Sequence, residues 1–427
     1  MLDSMAIPLR VSLHVLSADS PPPSPGPWAW SRLLTAPHRL AFFTGGVGLA
    51  LVALWWLVAL AVPVPWAVAR PVAHGLAMAL AFMPPFMVGF MFTAGPRWLG
   101  VQGPEARALL APMLIWAAGW ALALVGFHVS AWLAALGLAL AALAWARWLG
   151  RFVALVMQSE VPDQLHARAV AAAGLLGLLA MLLGAAGVGL GSPTWGRVAV
   201  QLALWGFVAP VFAAVSHRMI PFFTAAVLPG LEAWRPNSLL ALMLGSLAVA
   251  GVVEMTATLA WPPAVLLGAA TLLVLAGAAL LALALRWGLV GSLRGVHLRL
   301  LAMLHGGFVW LGVALLLEGW SVGLQALGQA GLGLAPLHAL TVGYLGCTLV
   351  AMATRVASGH SGRPLAVDGP AWAFYLLLQA TALLRLAAVW EGRLLLLAAF
   401  GWAVVAAAWA LRYGRWMGQP RADGRPG

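Results

Sequence analysis

The chain has 427 residues, of which 63% are hydrophobic and only 8% are charged. A soluble domain has about 25% charged residues, so this composition excludes an ordinary soluble domain. The formal net charge is +12 at pH 7, and every basic residue is an arginine. Excess basic charge is expected on one side of a membrane protein, so no nucleic-acid partner is needed to explain it.

The chain is predicted to contain one membrane domain between two short tails. Residues 1–38 include the stretch DSPPPSPGP and lack a secretory hydrophobic region, which predicts a flexible cytoplasmic tail. Residues 39–414 are predicted to form a single transmembrane domain, and residues 415–427 a second cytoplasmic tail. No P-loop or dinucleotide-binding fingerprint occurs in the sequence.

Twelve apolar stretches are long enough to cross a bilayer, which takes roughly 20 helical residues. The predicted fold class is therefore all-α, a polytopic transmembrane bundle of about 12 helices. The predicted spans are 40–63, 72–95, 108–126, 128–149, 169–190, 196–217, 238–257, 263–285, 298–318, 335–356, 370–390 and 393–413.

The second span contains adjacent prolines, Pro84 and Pro85, near its middle. Proline removes a backbone donor, so we expect a kink that makes room in the bundle. Met83, Met87 and Met91 follow one another at four-residue spacing in the same span. Core packing is the simpler interpretation of this stripe, because a Cu(I) site would also need a histidine or cysteine nearby.

The arginines predict the orientation of the bundle. All but four of the 23 fall in the tails and in the loops on one side. The positive-inside rule then places both termini in the cytoplasm. The four arginines left on the outer side are Arg70, Arg197, Arg385 and Arg393.

This topology predicts the position of each histidine across the membrane. His74 and His338 open the second and tenth spans on the outer side. His217 ends the sixth span on the inner side, where His305 lies two turns into the ninth span and His360 follows the tenth. Ionisable residues within a membrane mark functional sites by default, and imidazole is the commonest metal ligand.

A histidine at a helix end is more often a solvated or capping residue than a ligand. That interpretation is favoured for His14, His38, His128 and His297, and from spacing alone metal binding by the others stays open. His338 and His360 are separated by about 33 Å along a helix, so they cannot bind one metal. The single cysteine, Cys347, excludes a Cys-x-x-Cys-His haem attachment, so a haem would be held non-covalently.

Several stretches resemble the NnrS family. They are LHALTVGYLGCTLVAMATRVASGHSGRPL at 337–365, VSHRMIPFFT at 215–224, HGLAMALAFMPPFMVGFMFTAGPRWLG at 74–100 and LAMLHGGFVWLG at 301–312. The resemblance covers about residues 37–413. It implies a twelve-helix bacterial inner-membrane protein that binds b-type haem and copper in the response to nitric oxide and nitrosative stress.

The resemblance carries over to His74, His217, His305, His338 and His360 as metal-binding residues. Many members of the family have glutamate after the histidine of the second helix, where this chain has Gly75. The family does not assign each histidine to a metal.

The histidines are expected to form separate metal sites at the two faces of the bundle. His74 and His338 are expected to be axial ligands of a haem on the outer side. Gly343 and Gly346 would let a flat macrocycle approach the tenth helix, or would only permit helix packing. Arg385 would hold haem propionates or pair with Glu254 or Glu318, and the ion pair is slightly favoured.

On the inner side, His217, His305 and His360 are expected to approach one another and bind a second metal, either copper or a second haem iron. The function predicted is binding or turnover of nitric oxide, or another small gas, with an unidentified electron donor. The alternatives are a non-enzymatic haem sensor or metal-handling protein, and a transporter of a neutral small molecule. No acidic residue lies in the inner half of a predicted helix, which argues against a proton pump.

Overall fold

The structure, a computed structural model, describes residues 27–425. It is all-α over that range, with no strand, and twelve of its helices are long and apolar enough to cross a membrane. The predicted bundle is confirmed, and the chain is a multi-pass membrane protein. The helices are α1 (Pro37–Ala61), α2 (Arg70–Met91), α3 (Ala106–Val129), α4 (Ala131–Gln158), α5 (Leu165–Gly189), α6 (Pro193–Ala225), α7 (Asn237–Met255), α8 (Pro263–Arg286), α9 (Val296–Ala326), α10 (Ala335–His360), α11 (Gly369–Ala387) and α12 (Leu394–Met417).

Both ends of the helical domain lie at one face of the bundle. Buried Arg39, in the first turn of α1, donates hydrogen bonds of 2.9 and 2.8 Å to the carbonyl oxygens of Met417 and Gln419. We call this end the terminal face and the opposite end the distal face. The helical domain extends slightly past its predicted bounds at both ends, and residues 1–26 of the expected tail lie outside the described residues.

Two helices are irregular in ways that concern the histidines. α2 is interrupted between Leu80 and Met83, so the kink predicted from the paired prolines is confirmed. α10 contains a π-helical segment, Ala339–Gly346, directly after His338. Such π-segments occur frequently at functional sites.

The expectation that His217 ends the sixth span is wrong, because α6 continues through Pro221 to Ala225. Proline is tolerated within membrane helices. In the turn that follows Pro221, the Thr224 hydroxyl donates a 2.9 Å hydrogen bond to the Ile220 carbonyl. His217 is therefore not at the helix end but two turns inside it.

Helices α8 and α9 pack with their backbones almost in contact. A Cβ atom on Gly277 would lie 2.7 Å from the carbonyl oxygen of Gly312, a distance that real Cβ atoms essentially never show. Small residues at such crossings let membrane helices approach closely. The glycine-rich faces thus serve packing at this crossing.

Four helices form the centre of the bundle. Within their apolar stretches, 83% of α2, 78% of α10, 72% of α9 and 67% of α6 is buried inside the protein, and no other span exceeds 50%. These four helices carry all five histidines that match the family motifs. A histidine on a central helix faces protein on most sides, so its ring nitrogens need partners within the bundle.

The arginine distribution predicts that the terminal face is cytoplasmic. A green fluorescent protein fused after Gly427 should fluoresce, whereas alkaline phosphatase fused at the same position should be inactive, because it folds only after export. Activity of the phosphatase fusion would reverse the orientation of every site described below.

Candidate metal and cofactor sites

At the distal face, the ring of His338 is held in one tautomer. Its Nδ1 lies 2.8 Å from the carbonyl oxygen of Leu334, one turn earlier in the chain. A carbonyl oxygen only accepts, so Nδ1 carries the proton and donates it. The Nε2 atom then presents a lone pair, which is the arrangement that metal-binding histidines usually adopt.

His74 lies at the same face. Its ring stacks on the indole of Trp56, with ring centroids 3.9 Å apart. Its Nδ1 atom is buried and has no hydrogen-bond partner within residues 27–425. His338 and Arg385 both lie within electrostatic range of His74. We call these residues, His74, His338, Arg385 and Trp56, the distal site.

Arg385 does not form the ion pair that was favoured for it. It makes no salt bridge to any described acidic residue. The carboxylate of Glu254 instead accepts a 2.9 Å hydrogen bond from Gln201, and its backbone carbonyl accepts one of 2.9 Å from Arg197. These α6 side chains lie beside the end of α7, so they reach Glu254 first. Arg385 lies within electrostatic range of both distal histidines.

Gly343 and Gly346 admit tryptophan side chains to the surface of α10. A Cβ atom on Gly343 would lie 2.5 Å from the indole of Trp310, and one on Gly346 would lie 3.1 Å from the indole of Trp402. The Trp310 indole is held in place by a 2.7 Å hydrogen bond from its Nε1 to Gln379. The space at Gly343 is therefore filled by protein, which favours helix packing over contact with a macrocycle.

At the terminal face, the expected cluster of His217, His305 and His360 does not form. No group of three or more histidine, cysteine or acidic side chains able to hold a metal occurs in the described part of the chain. Each of the three histidines has a different neighbour. His217 contacts His166, His305 contacts Thr224, and His360 contacts His38.

The extension of α6 explains this separation. Because the helix continues past Pro221, it brings Thr224 to His305, with 3.1 Å between the hydroxyl oxygen and Nε2. The first turn of α5 brings His166 to His217, and the start of α1 meets the end of α10. Also contrary to expectation, His360 is the last residue of α10 rather than part of the following loop.

The hydrogen bonds of His217 determine the protonation of its pair with His166. His217 Nε2 lies 3.1 Å from the Pro236 carbonyl oxygen, so it carries a proton and donates it. His217 Nδ1 must then accept the proton of His166 Nε2 across 2.9 Å. Both nitrogens of His217 are occupied, whereas His166 Nδ1 is buried without a partner in the described residues.

His305 is fixed in the same way. Thr224 donates its hydroxyl proton to Ile220, so the hydroxyl can only accept from His305 Nε2. The Nδ1 atom of His305 therefore carries a lone pair. It is fully buried and has no partner among residues 27–425.

The rings of His38 and His360 lie against each other and make no side-chain hydrogen bond in the described residues. The ring centroids are 4.2 Å apart, and His38 is only 4% exposed, so the expectation that His38 is solvated is wrong. His38 Nδ1 has no partner, and no side-chain hydrogen bond to the His360 ring occurs in the described residues. We call His38 and His360 the terminal site.

Positive charge surrounds the terminal site. Arg39, Arg97 and Arg421 lie within electrostatic range of His38. Arg421 donates a 3.2 Å hydrogen bond to the His360 carbonyl oxygen and pairs with Asp423. The hydrogen bond from Arg421 lowers the pKa of Asp423 to about 2, so this carboxylate is ionised at neutral pH.

His128 shows what a structural histidine looks like in this fold. Its Nε2 accepts a 2.8 Å hydrogen bond from the Trp55 indole, and its Nδ1 donates one of 2.7 Å to the Pro65 carbonyl. Both ring nitrogens are satisfied, in agreement with a structural role. His297 is exposed, and His14 lies outside the described residues.

His38 and His166 were missed as candidate ligands by sequence reasoning. The only signal available was their position in the sequence. Each lies two or three residues before a predicted span, on the same side of the bundle as His217 and His360. That signal does not separate a buried ring from a solvated one.

The fold and the buried histidines define a class, a twelve-helix membrane protein with histidine pairs at both faces. Within this class, the chain belongs to the NnrS family, because the family described as NnrS protein matches residues 32–421. This membership fits a membrane protein of the nitric oxide response. No curated protein matches the sequence.

Replacing Gly343 with alanine tests the packing role of this glycine. The added methyl group would collide with the anchored Trp310 ring, which should cost about 1–3 kcal/mol of stability. We expect a lower melting temperature for Gly343→Ala in detergent, measured without added haem. The control is Gly245→Ala on α7, where a Cβ atom meets nothing within 4 Å. Wild-type melting together with altered haem binding in Gly343→Ala would favour a macrocycle at this position.

Proposed function

We propose that this chain is a haem- and copper-binding protein of the bacterial inner membrane that acts in nitric oxide defence. It would bind or turn over nitric oxide at a histidine-bound metal. One observation carries the proposal: His38, His74, His166 and His305 each have a buried Nδ1 atom without a hydrogen-bond partner among the described residues. Family membership supports the connection to nitric oxide.

The residues of the distal site fit a haem. His338 has a lone pair at Nε2, and His74 lies within electrostatic range with an unpartnered Nδ1. Ring nitrogens from two separate helices would be suitable ligands for the haem iron. The Trp56 indole restrains the His74 ring by stacking. Cys347 is the single cysteine, so the haem would be held non-covalently, as b-type haem is.

Arg385 would hold the haem propionates. It is partly buried and makes no salt bridge to a described acid. A guanidinium group pairs well with carboxylates, often through two parallel hydrogen bonds. When bound, the haem would supply an iron that coordinates nitric oxide and exchanges electrons. The protein's part is to present the two ring nitrogens in an orientation fixed by Leu334 and Trp56.

Alanine substitution of the distal histidines tests this assignment. His74→Ala and His338→Ala should each remove or shift the reduced haem bands, because a ligand of the iron is lost. Optical spectra and the haem-to-protein ratio of purified protein measure this directly. His128→Ala is the matched control, since His128 lies at the same face and its ring nitrogens are both occupied.

Correct membrane insertion should be verified for each variant by its yield and gel-filtration profile. Spectra identical to the wild type in both folded variants would show that the distal histidines are packing residues. The haem would then have to be sought at the terminal face.

For copper, we propose the terminal site. Of the terminal-face pairs, only His38 and His360 have rings without a side-chain hydrogen bond among the described residues. Neutral imidazole is a common copper ligand. Nearby Arg39 and Arg97 penalise added positive charge, so we expect Cu(I) to bind in preference to Cu(II).

Metal analysis tests the copper assignment. His38→Ala and His360→Ala should each lower the copper-to-protein ratio to less than half of the wild-type value, while the haem spectrum stays unchanged. His297→Ala, an exposed histidine at the same face, should keep full copper. Full copper in both terminal-site variants, or loss of haem with the copper, would contradict this division.

A measurement of nitric oxide consumption separates an enzyme from a sensor. Purified protein is supplied with an artificial reductant that replaces the unidentified electron donor. Sustained consumption identifies a nitric oxide-metabolising oxidoreductase. A spectral change at one equivalent without further consumption identifies a protein that only binds the gas.

A further inference from the structure

An apolar cavity lies in the terminal half of the bundle and is partly open at the surface of the protein. Its volume is about 60 Å³, and side chains from α1, α2, α4, α5, α6 and α10 form its wall. Its lining includes Phe42, Met87, Phe152, Val170, Val215 and Met352. Met87 and Met91, two of the three residues of the methionine stripe on α2, both line this cavity.

The chemistry of the wall keeps water out. Thr348 supplies the only hydroxyl group of the lining, and that hydroxyl is buried without a hydrogen-bond partner in the described residues. A buried water usually needs two to four polar partners, whereas apolar cavities stay dry and bind apolar ligands such as xenon. The cavity therefore suits a small uncharged molecule better than water or an ion.

The size of the cavity restricts the ligand further. Its volume exceeds the roughly 10–15 Å³ that one water molecule needs and is below the roughly 150 Å³ of an apolar cavity that binds benzene. A diatomic molecule fits this space. A porphyrin or a quinone ring does not.

The position of the cavity connects it to the terminal-face histidines. Phe42, Val170 and Val356 line it on α1, α5 and α10. The residues four positions closer to the terminal face on the same helices are His38, His166 and His360. Residues four apart lie on one side of a helix, about one turn from each other. These three histidines therefore lie beneath the cavity, on the sides of their helices that form its wall.

We propose that this cavity is a binding site for an uncharged diatomic gas, held directly above the histidines of the terminal face. The site is separate from the distal haem pair. Its occupancy depends on shape and apolar contact and does not depend on which metals the protein contains. If the xenon experiment shows no gas site, the proposed haem and copper assignments are unaffected. If the haem and copper assignments are wrong, the gas site can still be tested.

Xenon is the probe, because it has a suitable size and scatters X-rays anomalously. Crystals of the purified protein pressurised with xenon should show an anomalous peak between Met87, Phe152 and Met352. A pressurised crystal without a peak at this position would overturn the proposal. Ordered water or acyl-chain density in the same space without xenon would overturn it too.

Cavity-filling variants test whether the peak reports this space. Val170→Phe and Val215→Phe each place an aromatic ring in the cavity and should abolish the xenon peak. The matched control is Leu175→Phe on α5, whose side chain is 56% exposed on the outer surface of the bundle, and which should keep the peak. The two filling variants lie on different helices. If one of them does not fold, the xenon peak of the other still tests the proposal. A peak that persists in a folded filling variant contradicts the assignment.

Discussion

A polar atom buried in a membrane protein must find its partner within the protein, because lipid tails offer none. Most of the structure follows this rule, as the fully bonded ring of His128 shows. Thirteen buried side-chain nitrogen or oxygen atoms lack a partner in the described residues, and four of these are histidine Nδ1 atoms. They belong to His38, His74, His166 and His305.

Leaving these four nitrogen atoms unpaired would cost a large free energy. An unsatisfied buried polar group costs about 1–3 kcal/mol, so four of them would consume much of a stability of about 5–15 kcal/mol. A ligand that accepts a lone pair removes the cost at each site. The two faces also need separate ligands, because α10 places His338 and His360 at opposite ends of a helix that spans the bundle.

The helices and the face at which each motif histidine lies were predictable because both depend on local sequence. Twelve apolar stretches gave twelve helices, and Pro84 and Pro85 interrupted α2 as expected. The end of the sixth helix was misplaced, because α6 continues through Pro221 to Ala225. The partners of each histidine were not predictable, since the contact between His38 and His360 joins residues that only the packing of α1 against α10 brings together. The same holds for Glu254, whose hydrogen bonds come from α6 instead of Arg385.

The most direct test of the account is anomalous diffraction from crystals of the metal-loaded protein, with data collected at the iron and copper absorption edges. We predict an iron peak between His74 and His338 and a copper peak beside His38 and His360. Metal peaks at other residues, or none at all with water molecules bonded to the Nδ1 atoms of His38 and His74, would contradict the claim that these histidines bind the metals.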